Sequence, residues 1–421
     1  MDKFIINGGK KLSGEVKVSG AKNASLALMP ATILASGKAV INNTPELNDV
    51  YTMIKLLKHI GAEISFENGK LTINSININD FTAPYEHVKK MRASVYVLGP
   101  LLARFGKAKV SLPGGCAWGP RPINLHLEAM KKLGAEIDLF EGYIIAKAKK
   151  LIGSKIHFDI SSVGATGNAL MAAVLAKGTT LISNAAIEPE ITQLAEFLLG
   201  MGARINGIGT NLLEIEGVSS LNQTKITTIP DRIETGTLLV AGAITKSKIT
   251  LIDADDKIIV SVINKLLDCG TKLLTENNKI TIDCNDLQLK PVSIKTSIYP
   301  GFPTDMQAQW TALMSVAKGK SKVSDTIYSD RFNHVPELNR LGAKILVEKN
   351  TANITGVSKL KGAKVMSTDL RASACLVIAG LAAEGTTEVL RVYHLDRGYQ
   401  RIEEKLRKLG ADIQRVESKE Y

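Results

Sequence analysis

One pattern repeated along the chain limits the folds open to it. An amphipathic stretch that stops at a glycine followed by Ala or Thr recurs at Gly61, Gly134, Gly202, Gly270, Gly342 and Gly410, every 68 to 73 residues. Such self-similarity marks a chain built from one supersecondary unit that cannot bury its apolar face alone. In the first copy Val50, Met53, Ile54, Leu57 and Ile60 fall at helical spacing. Gly61 then stands where a left-handed residue is wanted just past a helix end. Ile402, Leu406 and Leu409 do the same before Gly410. Two short strands follow around a turn: Ile64/Phe66 and Leu71/Ile73 flank Asn68-Gly69, and Leu273/Leu274 and Ile280/Ile282 flank Asn277-Asn278.

A second element also recurs six times, over residues 24–36, 93–105, 165–177, 235–245, 306–318 and 372–384. Each copy is rich in Ala, Leu, Val, Met and small polar residues, and none has a charged face. A helix apolar all round belongs inside a core. Strands follow, as at 39–41, 109–112, 179–182 and 387–389. The predicted unit is strand, buried helix, strand, amphipathic helix, hairpin. Six such units predict an α/β fold of two lobes, three units each, with helices inside and sheets outside. One crossing between lobes is placed at Ile229-Pro230-Asp231, the other near Ser19-Gly20-Ala21 if the N-terminal strand joins the C-terminal lobe. The lobes are then 22–230, and 1–21 plus 231–421.

The starts of the buried helices carry charge: Lys22, Arg92, Asp231-Arg232, Asp305, and Asp369 with Arg371. Acidic residues there read as caps. Lys22, Arg92 and Arg371 oppose the helix dipole, which a bound anion at the helix ends would explain. If the helices of each lobe point one way, these ends meet in a cleft that suits an anionic substrate. The net charge of +12 agrees. Nucleic acid is not expected, because the charge is dispersed and aromatics are only 5%.

Four widely spaced cysteines without a C-x-x-C pair fit a reducing compartment, and the histidines lack metal-ligand spacing. No apolar run reaches about 18 residues, and Met1-Asp2-Lys3-Phe4 lacks a signal-peptide pattern. A cytoplasmic protein without membrane insertion or metal is expected.

Between the strand at 108–112 and a helix near 125–133 lies Pro113-Gly114-Gly115-Cys116-Ala117-Trp118-Gly119-Pro120-Arg121-Pro122. A loop so dense in Gly and Pro can lie on the surface and change conformation. If Cys116 and Arg121 meet in space, the thiol is held partly as thiolate. A surface turn with an incidental cysteine is the alternative.

This loop takes its place among other dispersed stretches. They are Gly20-Ala21-Lys22-Asn23, Met91-Arg92-Ala93-Ser94, Ser162-Val163-Gly164-Ala165-Thr166, Glu188-Pro189-Glu190 and Pro230-Asp231-Arg232-Ile233-Glu234-Thr235-Gly236. Further on come Phe302-Pro303-Thr304-Asp305-Met306-Gln307, Thr368-Asp369-Leu370-Arg371-Ala372-Ser373 and His394-Leu395-Asp396-Arg397-Gly398-Tyr399. Together they resemble the enolpyruvyl transferases, over essentially the whole chain, and most closely the branch that acts on a nucleotide sugar. The resemblance implies a two-lobed inside-out α/β barrel that closes over its substrates. It implies transfer of an enolpyruvyl group from phosphoenolpyruvate to the 3′-hydroxyl of UDP-N-acetylglucosamine with phosphate release, the first committed step of peptidoglycan synthesis, with no cofactor. Cys116 is then the proton donor, able to add to phosphoenolpyruvate and to be alkylated by fosfomycin. Asp305 is similar to the family's acid–base aspartate, and its role as the actual base stays open. Lys22, Arg121 and Arg397 match phosphoenolpyruvate-binding positions, while Asp369 and Arg371 match supporting charges. Asn23, Arg92, Arg121, Pro122, Ile123, Asn124, Leu125, Ser162, Val163, Gly164 and Ile327 align with nucleotide-sugar contacts. His126 reads as structural or a minor contact, and Asp231 and Glu188 as scaffold or cleft residues. Ile160 stands near where the family often has a lysine, Tyr96 where tryptophan is common, and Trp118-Gly119-Pro120 varies the lid tip. The rivals are 3-phosphoshikimate 1-carboxyvinyltransferase, which lacks a cysteine lid of this type, and a non-catalytic anion-binding repeat protein.

Overall fold

The structure is a computed structural model that describes residues 2–89, 91–112 and 123–417. It divides into two compact units, one of Met1–Ser19 with Pro230–Tyr421 and one of Gly20–Ile229. Each is a mixed α/β body with three buried helices among the described residues. In the second unit these are α1 (Lys22–Ala31), α2 (Leu98–Phe105) and α3 (Val163–Ala173). In the first they are α4 (Arg232–Ile244), α5 (Gln307–Met314) and α6 (Leu370–Ala382). Their lack of a polar face has the expected consequence. All residues of α5 are buried, as is α4 from Ile233 to Ile244.

α1, α3, α4 and α6 begin two or three residues earlier than their apolar runs, because a first helical turn leaves N–H groups unpaired and takes polar residues near the surface, whereas α2 and α5 begin later, after 3-10 turns. Lys22, Arg232 and Arg371 therefore lie inside first turns. Arg92 opens a 3-10 turn, Arg92–Val97, that leads into α2.

The strands form six separate four-stranded sheets. In one, Thr82–Ala83 pairs in parallel with Lys107–Ser111, which is bordered by the antiparallel hairpin of Tyr143–Lys147 and Glu136–Phe140. The parallel pair exists because the buried helix crosses between its strands; the hairpin needs only a tight turn. Burial alternates along the strands, so Ala39 and Ile41 are buried while Lys38 is exposed. The six glycines that end the amphipathic helices have φ between 88° and 105°. Asn277 and Asn278, at 49° and 58°, make the two-residue turn whose twist suits a hairpin.

The N-terminal segment completes repeats begun elsewhere. Asp2–Asn7 pairs with both Thr386–Leu390 and Asp412–Glu417, supplying the hairpin strand that the sixth repeat lacks. Ser13–Lys17 pairs in parallel with Lys248–Ile252 although it precedes α1 in sequence. Lys225–Thr227 pairs in parallel with Lys38–Asn42 although it precedes α4. The leading strands of the first and fourth repeats are thus exchanged between the units.

Candidate active site

Within the Gly20–Ile229 unit, charged and polar groups gather where the buried helices begin. Lys22 Nζ lies 3.2 Å from Asp49 Oδ2, with only 13% and 6% of the side chains exposed. Asp49 sits in the first turn of the amphipathic helix Asn48–His59, so the next α-helix of the same repeat supplies the counter-charge. Ser162 caps α3, its Oγ accepting from Ala165 N at 3.3 Å. Val163 and Gly164 form the open first turn of α3, and Asn23, Asn124 and Leu125 likewise lie in first turns.

His126 packs over that first turn. A Cβ built on Gly164 would lie 3.0 Å from its Cε1 and Nε2. Asn168 Nδ2 lies 3.1 Å from His126 Nδ1 and 2.9 Å from Val95 O, while its Oδ1 accepts from Gly99 N at 2.7 Å. An amide nitrogen only donates, so His126 Nδ1 accepts and the neutral ring carries its proton on Nε2. Burial, then the Arg92 charge, pushes His126 down to about 3. It stays neutral at ordinary pH and fits the structural role rather than that of a base. Tyr96 OH donates to Val163 O at 3.3 Å and ties the 3-10 turn to the same end of α3.

The other unit centres on Asp305. One oxygen lies 2.8 Å from Arg331 Nη1 and the other accepts from Arg371 Nη2 at 2.7 Å. Burial raises the carboxyl's pKa, but the two guanidiniums outweigh it and hold Asp305 well below the usual carboxylate range. Arg371 is 5% exposed and also donates to Tyr399 OH at 3.1 Å. Gln309 Nε2 donates to Tyr399 OH at 3.1 Å and to Thr237 Oγ1 at 3.0 Å, which fixes the phenol. Arg331 Nη1 donates to Thr304 Oγ1 at 3.1 Å, and that hydroxyl donates to Asp325 Oδ2 at 2.6 Å. Asp325 Oδ1 accepts from the Ile327 and Tyr328 amides, both at 2.9 Å, and so shapes the turn that carries Ile327.

Asp231 and Asp369 are caps, as acidic residues at helix starts suggest. Asp369 Oδ1 accepts from Arg371 N and Ala372 N at 2.8 and 3.2 Å, and Asp231 Oδ1 from Ile233 N and Glu234 N at 2.8 and 3.0 Å. Arg371, which opposes the dipole of its helix, has a partner within the protein. Its guanidinium is matched by Asp305, as a buried cation requires. Lys22, too, has a protein partner in Asp49. Arg397 is half-buried at the end of the turn Val392–Arg397. Cys116, Arg121 and Pro122 lie outside the described residues. Nothing in the sequence marks Arg331 or Asp325, and Thr304 and Tyr399 carry no assigned role within their motif stretches. Arg331 lies in an irregular stretch with no periodicity to mark it, and only its proximity in space to Asp305 reveals it.

Among the described residues no cluster of three His, Cys, Asp or Glu side chains could hold a metal. No helix there is long and apolar enough to cross a membrane.

Two lobes' worth of buried helices inside small sheets, with an arginine-flanked carboxylate at one set of helix starts, define a class also known from other proteins. Residues 6–406 match the family described as EPSP synthase (3-phosphoshikimate 1-carboxyvinyltransferase), and the chain belongs to that family of enolpyruvyl transferases. Within it, the chain is 60% identical to UDP-N-acetylglucosamine 1-carboxyvinyltransferase of Chloroherpeton thalassium, covering 100% of this chain and 99% of that protein. It is 58% identical to the protein of the same name from Chlorobium chlorochromatii, over the full length of both. Among solved structures, the enolpyruvyl transferase NikO from Streptomyces tendae superimposes with a TM-score of 0.91 at 26% identity, covering 99% of each chain. EPSP synthase from Acinetobacter baumannii shares the fold, with a TM-score of 0.77 at 19% identity over 99% of this chain and 100% of that one.

Proposed function

We propose that this enzyme transfers the enolpyruvyl group of phosphoenolpyruvate to the 3′-hydroxyl of UDP-N-acetylglucosamine and releases phosphate, as the first committed step of peptidoglycan synthesis. The observation that carries the choice of acceptor is the 60% identity, end to end, with a UDP-N-acetylglucosamine 1-carboxyvinyltransferase. The reaction runs by addition and elimination. The 3′-hydroxyl gives up its proton to solvent as its oxygen bonds to C2 of phosphoenolpyruvate and C3 gains a proton from the Cys116 thiol; C3 then returns a proton to the Cys116 thiolate as the C2–O bond to phosphate breaks and phosphate leaves. Cys116 delivers the proton to C3. Lys22, Arg121 and Arg397 neutralise the phosphate and carboxylate of phosphoenolpyruvate.

Asp305 accepts a hydrogen bond from the 3′-hydroxyl and orients it. Its ionised state between Arg331 and Arg371 supports that part, since a carboxylate held this way accepts hydrogen bonds readily and takes a full proton reluctantly. The first turn of α3, at Ser162, Val163 and Gly164, with Asn23, Arg92, Pro122, Ile123, Asn124, Leu125 and Ile327, receives the nucleotide sugar. Asp369 and Arg371 fix the framework around Asp305. The lobes of the working enzyme are 22–230, and 1–21 with 231–421. It acts in the cytoplasm, without a cofactor and without nucleic acid as a partner.

The test is phosphate release from phosphoenolpyruvate with UDP-N-acetylglucosamine in one reaction and shikimate 3-phosphate in another. Release with the nucleotide sugar alone is expected. Release with shikimate 3-phosphate alone would keep the family and overturn the acceptor.

A further inference from the structure

The strand Lys272–Glu276 forms one edge of the sheet it shares with Lys279–Asp283, Lys248–Ile252 and Ser13–Lys17. Glu276 and Lys279 close the two-residue turn at Asn277-Asn278, so they exchange backbone hydrogen bonds, and every second residue back along the edge does the same. Lys272, Leu274 and Glu276 thus direct their backbone groups into the sheet, whereas Leu273 and Thr275 turn theirs outward. Among the described residues no partner takes those outward groups. The side chains of Lys272, Leu274 and Glu276 stand on the exposed face, where Leu274 is 56% exposed.

We propose that this edge pairs with the same edge of a second copy of the chain, antiparallel about a two-fold axis through Leu274, and so joins two four-stranded sheets into one. In that register Leu273 and Thr275 of each copy exchange backbone bonds with Thr275 and Leu273 of the other. Leu274 meets its own counterpart in the closely spaced, non-bonded pair between them. Lys272 stands opposite Glu276 on both sides of the axis, so the charges are complementary. The seam also continues an alternation of sign already present on that face. Lys248 opposes Asp283, with Nζ 3.4 Å from Oδ2, and Asp283 opposes Lys272. Glu276 of the second copy is next in that row.

The same pairing fails at the other five-residue hairpin edges, each for a reason of its own. Glu63–Glu67 would set Glu63 against Glu67, and Glu136–Phe140 would set Asp138 against Asp138. Lys344–Glu348 has the favourable order of charges, and its Leu346 is 63% exposed. Its outward groups at Ile345 are already taken, however: Asn339 Nδ2 donates to Ile345 O at 3.0 Å, and Asn339 Oδ1 accepts from Ile345 N at 3.2 Å. An edge strand is normally blunted by its charges or covered by other groups. Lys272–Glu276 keeps its backbone open and carries charges that attract its own copy. A ribbon this short is a small interface, so the dimer forms only at high concentration and comes apart on dilution.

The experiment is sedimentation velocity of the full chain from about 1 to 300 µM, a span that brackets a weak self-association. The parent should pass from monomer to dimer as concentration rises. Lys272→Glu sets like charges opposite each other at both ends of the seam and should weaken association about 10-fold or more. The double variant Lys272→Glu, Glu276→Lys should return it to within about threefold of the parent. Thr275→Pro removes an outward N–H that the sheet itself does not use, and should abolish the dimer. Each variant is first checked for native circular dichroism. A parent that stays monomeric throughout would overturn the proposal. So would a dimer that persists in Thr275→Pro or keeps its strength in Lys272→Glu, or one that the double variant fails to recover. None of these residues belongs to the assigned site, so the result does not depend on which acceptor the enzyme uses.

Discussion

At the scale of single residues, burial decides which groups can react. Cys269, Cys284 and Cys375 are buried, and burial pushes the first two thiols up to about 12. Burial also pushes Cys375 up, with Asp369 adding to it. A thiol reacts as thiolate, so none of these three should react in the folded enzyme near neutral pH. Of the 4 cysteines in the sequence, titration with a thiol reagent should therefore find no more than one in the native protein. All should react once it is unfolded, and the native signal should vanish in Cys116→Ala. The same substitution should lower turnover at least about 100-fold, since the proton donor is lost. More than one fast native thiol would contradict the buried positions. Full activity of Cys116→Ala would remove that residue from the mechanism.

At the scale of elements, close helix packing does as much for the site as charge. A Cβ on Gly99 of α2 would stand 2.5 Å from Asn168 O and 2.6 Å from Asn168 Oδ1, so α2 and α3 touch where only hydrogen fits. Gly99→Ala should destabilise the fold by about 1–3 kcal/mol, measurable by urea denaturation, because backbone on the facing helix must move. Wild-type stability would mean that the contact is looser than described. The buried helices and their glycine-ended partners were legible in the sequence, because a helix periodicity and a C-terminal glycine are local signals. Asp231 and Asp369 were legible as caps for the same reason. Arg331 and Asp325 were not: their stretch has no period, and their partners Asp305 and Thr304 lie 20 or more residues away in sequence. The charge partner of Arg371 could likewise not be seen without the fold.

At the scale of the whole molecule, two buried histidines set an acid limit on stability. Burial, then a neighbouring arginine, pushes both His126 and His334 down to about 3 from an ordinary 6.5. Between those values the unfolded chain binds protons that the native one refuses, so stability falls as pH falls. Each histidine contributes up to about 1.4 kcal/mol per pH unit in that window and nothing above it. Asp305, held ionised, acts in the same direction at lower pH, since its stabilisation is lost once it is protonated. Urea midpoints should decline below about pH 6.5, and more gently in the double variant His126→Gln, His334→Gln. An unchanged slope in that variant would show that other groups carry the effect.

The six-unit repeat was fixed by sequence alone, because apolar helices without a polar face have one physical outlet, burial against one another. The enolpyruvyl transferase family was equally readable, since its motifs are strings of residues whose order survives without coordinates. Tertiary structure alone decided how the repeats share strands, with Asp2–Asn7 completing the sixth and Ser13–Lys17 and Lys225–Thr227 exchanged. Backbone pairing depends on which edges meet in space, and side-chain pattern does not record that. It also decided that Asp305 stands between Arg331 and Arg371. An ion pair forms at a few ångströms, whatever the length of chain between its partners.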